Sequence, residues 1–451
     1  MTAEWQQAIG GGLENNLPIA GEPVFYLEER EQLSVSLDEG EIDEVDCRRN
    51  RGAGVTGTAG ERTEHYCFTT PGSLREEFDP GPVRGDSFSP EDKDRMNIKI
   101  RPDFKPSTLK IEKLKEADQA ARNAGEQIEQ VKINYRERRR LVTIFRRNKK
   151  PLREERIYLS FRATATAVGE ERRERGFASA AGYCGEELFE ENSPAEVAEK
   201  AARRALISLQ ARPVAPGSKT VVIAPGFGGT IFHEACGHGF EADHLYEDAS
   251  VYRGKMGEKV ASEAVNFVDD ASLPNLNGSY AVDDEGEEGQ RNVLINEGVM
   301  EGYLADKKYG ELLGGGSTGS GRRESFREPV LPRMSNTYIE AGEARPEAIV
   351  ESTENGIYAA HIGGGQVDPA SGDFIFSADE AYLIEDGRIT TPVRDVALVG
   401  NGPEVLKRVD AVGNDLEFAP GSCGKGQWVP VCVGQPSLRV RELRIGGDSD
   451  A

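Results

Sequence analysis

The chain has no stretch approaching the ~20 consecutive apolar residues of a membrane-spanning helix, so the reading expects no membrane anchor. Its opening, MTAEWQQAIGGG, lacks both a basic segment and an apolar core, and so does not read as a secretory leader. Positive charge is also scarce. Against 78 acidic residues stand 55 Lys and Arg, a net charge of −23 that opposes nucleic-acid phosphates and anionic membranes over most of the surface. The six cysteines, Cys47, Cys67, Cys184, Cys236, Cys423 and Cys432, include no C-x-x-C pair. A chain this large needs no disulfide staples, and reduced thiols are expected. These shortages together point to a cytoplasmic protein without nucleic-acid or membrane partners.

The 451 residues suffice for two or more domains with sizeable cores. Ser107, after Pro106, is placed to cap a helix running to about Gln130, with Ile111, Leu114, Ala117, Ala121, Ala124 and Ile128 on one stripe. Two strand-like runs follow, roughly Lys132 to Phe145 and Arg156 to Ala167, rich in β-branched and aromatic residues. A second helix reads from Ser193 to about Leu209, with Pro194 in its first turn and Val197, Ala201, Ala205 and Leu206 inward. Arg212 to Ser218 reads as a linker. Beyond it short strands predominate, and Asn296-Glu297-Gly298 and Glu385-Asp386-Gly387 read as hairpin turns. The expected fold class is α+β: a mixed α/β domain with long strands over residues 1–212, and a mostly antiparallel β domain over 213–451 carrying one functional helix.

That helix holds the most informative stretch, His233-Glu234-Ala235-Cys236-Gly237-His238. In an H-E-x-x-H helix two histidines on one face hold zinc, and the intervening glutamate activates water. Here the second histidine comes one residue later. At about 100° per residue an i, i+5 pair diverges by about 140° on an ideal helix, too far to chelate. A π-type bulge near Gly237 would absorb the extra residue. The segment is framed by a strand-like Val221-Val222-Ile223-Ala224, a turn from Pro225 to Gly229, and Thr230 as N-cap. The plain alternative is a helix that happens to carry two histidines.

Zinc needs a third protein ligand, and several residues qualify. His244 stands at the metzincin interval, although Glu241 replaces the glycine of that pattern. Glu241, Asp243, Glu247 and Asp248 each offer an oxygen, and Cys423 offers a thiolate near Lys425, whose charge would lower its pKa. Spacing alone does not choose among them. Cys236 reads as a small buried residue packed behind the histidines.

Five runs in order resemble the TldD/PmbA family of modulator-of-gyrase peptidases, in its TldD-like branch that keeps the metal motif. They are HEACGHGFEADHL from His233, GSTGSGRRESF from Gly316, LPRMSNTYIEAG from Leu331, GIYAAHIGGGQVDPASGDFIFSADEAYLIEDGRI from Gly356 and GSCGKGQWVPVCVGQPSLRV from Gly421. They span most of the C-terminal half. The N-terminal half is matched more loosely, around Glu39-Gly40-Glu41-Ile42-Asp43 and Gly52-Ala53-Gly54-Val55. The resemblance implies His233, His238 and Cys423 as ligands of zinc (Zn2+) and Glu234 as catalytic base, with no ligand role for His244. It also implies a two-subunit assembly, with a PmbA-like partner or with itself, enclosing a chamber that admits small or unfolded peptides.

Other features carry competing readings. Gly314 to Gly321 lacks the Gly-Lys-Ser/Thr ending of a phosphate-binding loop. Gly364 and Gly365 would let a peptide main chain approach a strand edge, or simply form a tight turn. Arg322 and Arg323 suit either a substrate carboxylate or structural ion pairs. The basic run from Lys132 to Arg156, including Arg138-Arg139-Arg140, Arg146-Arg147 and Lys149-Lys150, suits an acidic partner or RNA, but a strand paired with Glu137, Glu154 and Glu155 explains it more simply. From a different functional class, a non-hydrolytic peptide-binding or scaffolding subunit with a structural metal would have no need of Glu234.

Overall fold

The computed structural model describes residues 21–69, 96–146 and 149–446. The opening segment read for a leader, and Arg147, lie outside them. The fold is α+β. β1 (Val24–Asp38), β2 (Glu41–Ala59), β3 (Arg62–Thr69), β4 (Ile128–Arg146), β5 (Leu152–Val168) and β6 (Arg173–Gly182) form one sheet in the order β3-β2-β1-β4-β5-β6. Every neighbouring pair in it is antiparallel.

Two helices, α1 (Thr108–Asn123) and α2 (Pro194–Gln210), cover one face of this sheet. Period-two alternation decides which face. On β4, Ile133 and Tyr135 pack under the helices with Leu159, Phe161, Leu114, Ala121 and Ala201, and the intervening Asn134, Arg136 and Arg138 face away. Ser107 caps α1 by accepting from the Lys110 amide at 3.3 Å, and Ser193 and Glu196 close a reciprocal capping box on α2. α1 stops at Asn123, short of the expected Gln130. Ile128, read as its last inward residue, instead begins β4 opposite Ala167. Apolar spacing cannot distinguish the end of a helical stripe from the start of a buried strand.

Most of the basic run on β4 and β5 is matched by acid. Arg139 binds Glu155 at 2.5 Å, Arg140 binds buried Glu28 at 2.7 Å, and Arg156 binds Glu154 at 2.9 Å and Asp284 at 2.8 Å. The last pair, with the Phe326 amide on Glu28 at 3.0 Å, also ties the first sheet to the second half of the chain.

The remaining strands form a six-stranded sheet, an eight-stranded sheet and a short pair, Gly321–Arg322 with Leu331–Pro332, and the two larger of these share a core that includes Val221, Ile231, Phe232, Phe267, Ile357 and Val440. Most pairings are antiparallel, but Gly217–Ile223 runs parallel to Asn355–Val367, Asn336–Ile339 to Trp428–Gln435, and Arg212–Pro213 to Arg388–Arg394. The segment read as a linker is partly sheet: Arg212–Pro213 pairs with Arg388–Arg394, where an edge position tolerates proline. Both expected hairpin turns are present. Glu297 and Gly298 have φ of 46° and 81°, and Asp386 and Gly387 of 48° and 72°, the left-handed pairs of a two-residue hairpin.

Candidate metal centre

Strand Gly217–Ile223 feeds a turn and then the short helix α3 (Gly229–Ala235). Gly228 occupies its cap position without a side-chain bond, two residues earlier than the Thr230 cap expected. Close packing explains the glycine that follows, since a Cβ on Gly229 would lie 2.8 Å from the Gly434 backbone.

The extra residue between the histidines is absorbed by a break, not by the expected π bulge. α3 ends after Ala235, the chain leaves helical geometry at Cys236 (φ −126°, ψ −49°), and Gly237–Phe240 then form a 3-10 turn. This break turns His238 back toward His233, with ring centroids 5.5 Å apart and planes at 80°. A side chain at Gly237 would collide there unless Met334 moved, since a Cβ would sit 2.2 Å from Met334 Sδ.

Cys423 reaches the same point from strand Glu417–Gly424, its Sγ 3.3 Å from His238 Nε2. One donor atom from each of His233, His238 and Cys423 lies within 4.8 Å of the others, and all three residues are buried. Donors sharing one tetrahedral zinc, with bonds of about 2.0–2.3 Å, stand about 3.3–3.8 Å apart, so the set fits an ion with little adjustment. His233 supplies a second sign: both ring nitrogens are buried and, among the described residues, neither has a hydrogen-bond partner of good geometry. Such an orphan is costly unless something binds it.

The electrostatics agree. Burial alone would raise the Cys423 thiol, but His238 and His233 hold it well below its ordinary value. Those imidazoles, and not the Lys425 proposed from sequence, are the cause. Burial would likewise depress His233 and His238, yet the sulfur keeps both raised. A thiolate among imidazoles demands compensating positive charge, which protons or a divalent cation can supply.

Around these three lies a supporting layer. His238 Nδ1 is 2.8 Å from Glu241 Oε2, which leaves Nε2 toward the sulfur. Lys425 Nζ donates to Glu241 at 3.0 Å, to Asp243 at 2.8 Å and to the Pro332 carbonyl at 2.7 Å. Arg333 donates to the Cys423 carbonyl at 2.7 Å. Glu234 stands at the rim, Oε2 3.4 Å from His238 Nε2 and its side chain 31% exposed. Burial would raise its carboxyl, but His238 and then His233 hold it below the ordinary range, so it is ionised at neutral pH.

The other candidates are engaged elsewhere. Glu241, Asp243 and His244 form a second cluster, but the Lys425 ammonium already bonds both of its carboxylates. Glu247 accepts from the Tyr309 hydroxyl at 2.8 Å, and Asp248 pairs with Arg253 at 2.8 Å. Cys236 is fully buried, its thiol pushed up to about 12 by burial. Gly364 and Gly365 lie in strand Asn355–Val367 and are not part of the cluster. A Cβ on Gly365 would meet the Phe376 ring at 2.1 Å, whereas Gly364 has open space. Arg322 donates to the Pro430 carbonyl at 2.7 Å and the Arg323 amide to Asp284 at 2.8 Å, both inside the protein. Sequence reasoning missed Arg333 and Met334, which only the fold brings to the cluster.

Residues 216–447 match the model of the PmbA/TldA metallopeptidase C-terminal domain, and residues 100–209 that of the central domain. The chain is 44% identical over 283 residues to a metalloprotease TldD homolog of Haemophilus influenzae, a match covering 61% of this chain and 59% of that protein's length. It is 34% identical over 452 residues to a metalloprotease TldD homolog of Buchnera aphidicola subsp. Schizaphis graminum, covering 94% of this chain and 92% of that protein. In fold it resembles the crystal structure of TldE from Thermococcus kodakarensis, with a TM-score of 0.75 at 19% identity over 98% of this chain and 100% of that one.

Proposed function

The chain belongs to the TldD/PmbA metallopeptidase family, and on that premise we propose that it is a zinc-dependent peptidase acting on small or unfolded peptides. The observation that carries the reading is the convergence of His233, His238 and Cys423, with ionised Glu234 beside them. Two imidazoles and a thiolate suit zinc in preference to magnesium or calcium, which take oxygen ligands. A bound zinc ion would polarise the scissile carbonyl and acidify water.

The chain's own groups do the rest. Glu234 takes the proton from the attacking water and delivers it to the leaving nitrogen, and its partial exposure lets a peptide approach. His238 is held by Glu241 through Nδ1, which leaves Nε2 free to hold zinc, and Cys423 would hold it as thiolate. A thiolate ligand moderates the ion's acidity, and enclosure of the site would offset that by excluding water. We further infer that the peptide main chain lies along the strand containing Gly364 and Gly365, and that residues 1–212 and 213–451 act as separate domains. The site would be enclosed in a chamber between two subunits, the partner being PmbA-like or a second copy, in the cytoplasm. Among the described residues no helix is long and apolar enough to cross a membrane.

The test is Glu234→Gln assayed against a mixed peptide library. Loss of about 10²–10⁴ in turnover, with metal retained, is the expected result. Undiminished cleavage by the metal-loaded variant would exclude Glu234 as base.

A further inference from the structure

The sheet face turned away from α1 and α2 meets the ribbon that carries Cys423. Between them lies a cleft of about 60 Å³ whose lining includes Arg136, Arg138, Tyr158, Arg162, Ser179 and Ser422. Register explains the gathering. Arg138 is opposite Tyr158 on β5, Arg136 opposite Ser160, and Arg162 opposite Ser179 on β6, so alternation sends all of these side chains to one face. On the ribbon, Ser422 is paired with Pro430, and both line the cleft. Cys423, the next residue, points to the other face.

The charge there is uncompensated. Several other arginines of this sheet have acidic partners: Arg139 has Glu155, Arg140 has Glu28, and Arg156 has Glu154 and Asp284. Among the described residues none of Arg136, Arg138 and Arg162 has one. Arg136 donates to Ser34 Oγ at 3.2 Å, and the Arg138 guanidinium lies over the Tyr158 ring at 4.8 Å with its Nε buried and unpartnered. Burial pushes Arg138 down to about 10, and Arg140, Arg30 and Arg136 add repulsion. Arg136 and Arg162 are exposed to solvent, so the cost falls on Arg138, whose partly buried, unpaired guanidinium a bound anion would stabilise in a chain of net charge −23.

We propose that this cleft is a binding site for a compact oxyanion, a carboxylate or a phosphate, held by the guanidinium groups of Arg138 and Arg162 with Arg136 at the edge. Guanidinium forks match both anions in geometry, and Ser179 and Ser422 offer hydroxyl donors. The volume suits one such group and no base or sugar. The ligand is thus a small anion or the acidic end of a short peptide. The site lies across the ribbon from the Cys423 sulfur and makes no use of the metal centre.

The experiment is calorimetric titration of the full-length protein at low ionic strength, with and without chelator. The probes are inorganic phosphate, a short peptide ending in glutamate, and the same peptide with its carboxylates amidated. Binding of phosphate alone assigns a free anion; binding of the acidic peptide but not its amidated form assigns a peptide carboxylate. Either supports the site if Arg162→Gln, an exposed substitution, weakens it severalfold, Arg138→Gln weakens it at least tenfold, and Arg203→Gln on the outer surface of α2 leaves it unchanged. The proposal is overturned if neither anion binds, if affinity survives Arg162→Gln and Arg138→Gln together, or if it disappears with chelator, which would place the anion on the metal.

Discussion

Glu241 Oε2 stands 2.8 Å from His238 Nδ1, and the same carboxylate accepts from Lys425 Nζ at 3.0 Å. The chain therefore orients one imidazole through a buried carboxylate that is itself anchored by an ammonium. Such partners fix a histidine's tautomer and ring plane, and their loss costs about 10–100-fold in metal affinity. Glu241→Gln is expected to weaken zinc binding by that factor in competition with a chromophoric chelator, while saturating zinc restores most of the peptide turnover. Unchanged affinity would remove Glu241 from the metal's support.

A side chain at Gly237 is expected to be costly. Its Cβ would lie 2.2 Å from Met334 Sδ, so Gly237→Ala forces either the His238 turn or Met334 to move, at about 1–3 kcal/mol. The variant should melt several degrees lower and bind zinc more weakly. Met334→Ala, introduced with it, should recover part of the zinc affinity by removing the collision. Failure of that pair to recover anything would mean that the contact does not set the position of His238.

Stability should fall as pH rises through neutrality, by way of three buried carboxyls. Asp283, Glu285 and Asp306 are each pushed up to about 7, in each case first by burial; Glu285 adds its charge to Asp283, and Asp306 to Glu285. Their folded values lie above the unfolded ones near 4, so the folded state binds the extra protons. The contribution is complete below about pH 4 and is lost as pH rises through about 7. In urea unfolding at pH 5.5 and pH 8, the wild type should lose more stability between the two than Glu285→Gln does. Equal losses would show that Glu285 does not hold a proton in the folded protein.

Much of this was legible in the chain. Helix α2 was, because Ser193, Pro194 and Glu196 spell out a capping box and first turn, and both left-handed hairpin turns were, because Glu297-Gly298 and Asp386-Gly387 are local signals. The end of α1 was not, since Ile128 continues a helical stripe while belonging to β4. The histidines were conspicuous in sequence, but their spacing suggested a π bulge, because packing of Met334 against Gly237 is a contact between residues far apart in the chain. For the same reason the engagement of Lys425 with Glu241 and Asp243, instead of with the thiol, is a product of the ribbon's placement. Local chemistry announces itself in sequence, whereas a supporting layer assembled from distant strands does not.

The most direct test is zinc content measured beside peptide turnover in the same preparations of wild type and Cys423→Ser. Zinc is expected near one per chain in the wild type, and a folded Cys423→Ser protein is expected to lose zinc on mild dialysis and peptide cleavage with it. A Cys423→Ser protein that holds zinc as tightly as the wild type and cleaves peptides as fast would contradict the shared centre of His233, His238 and Cys423.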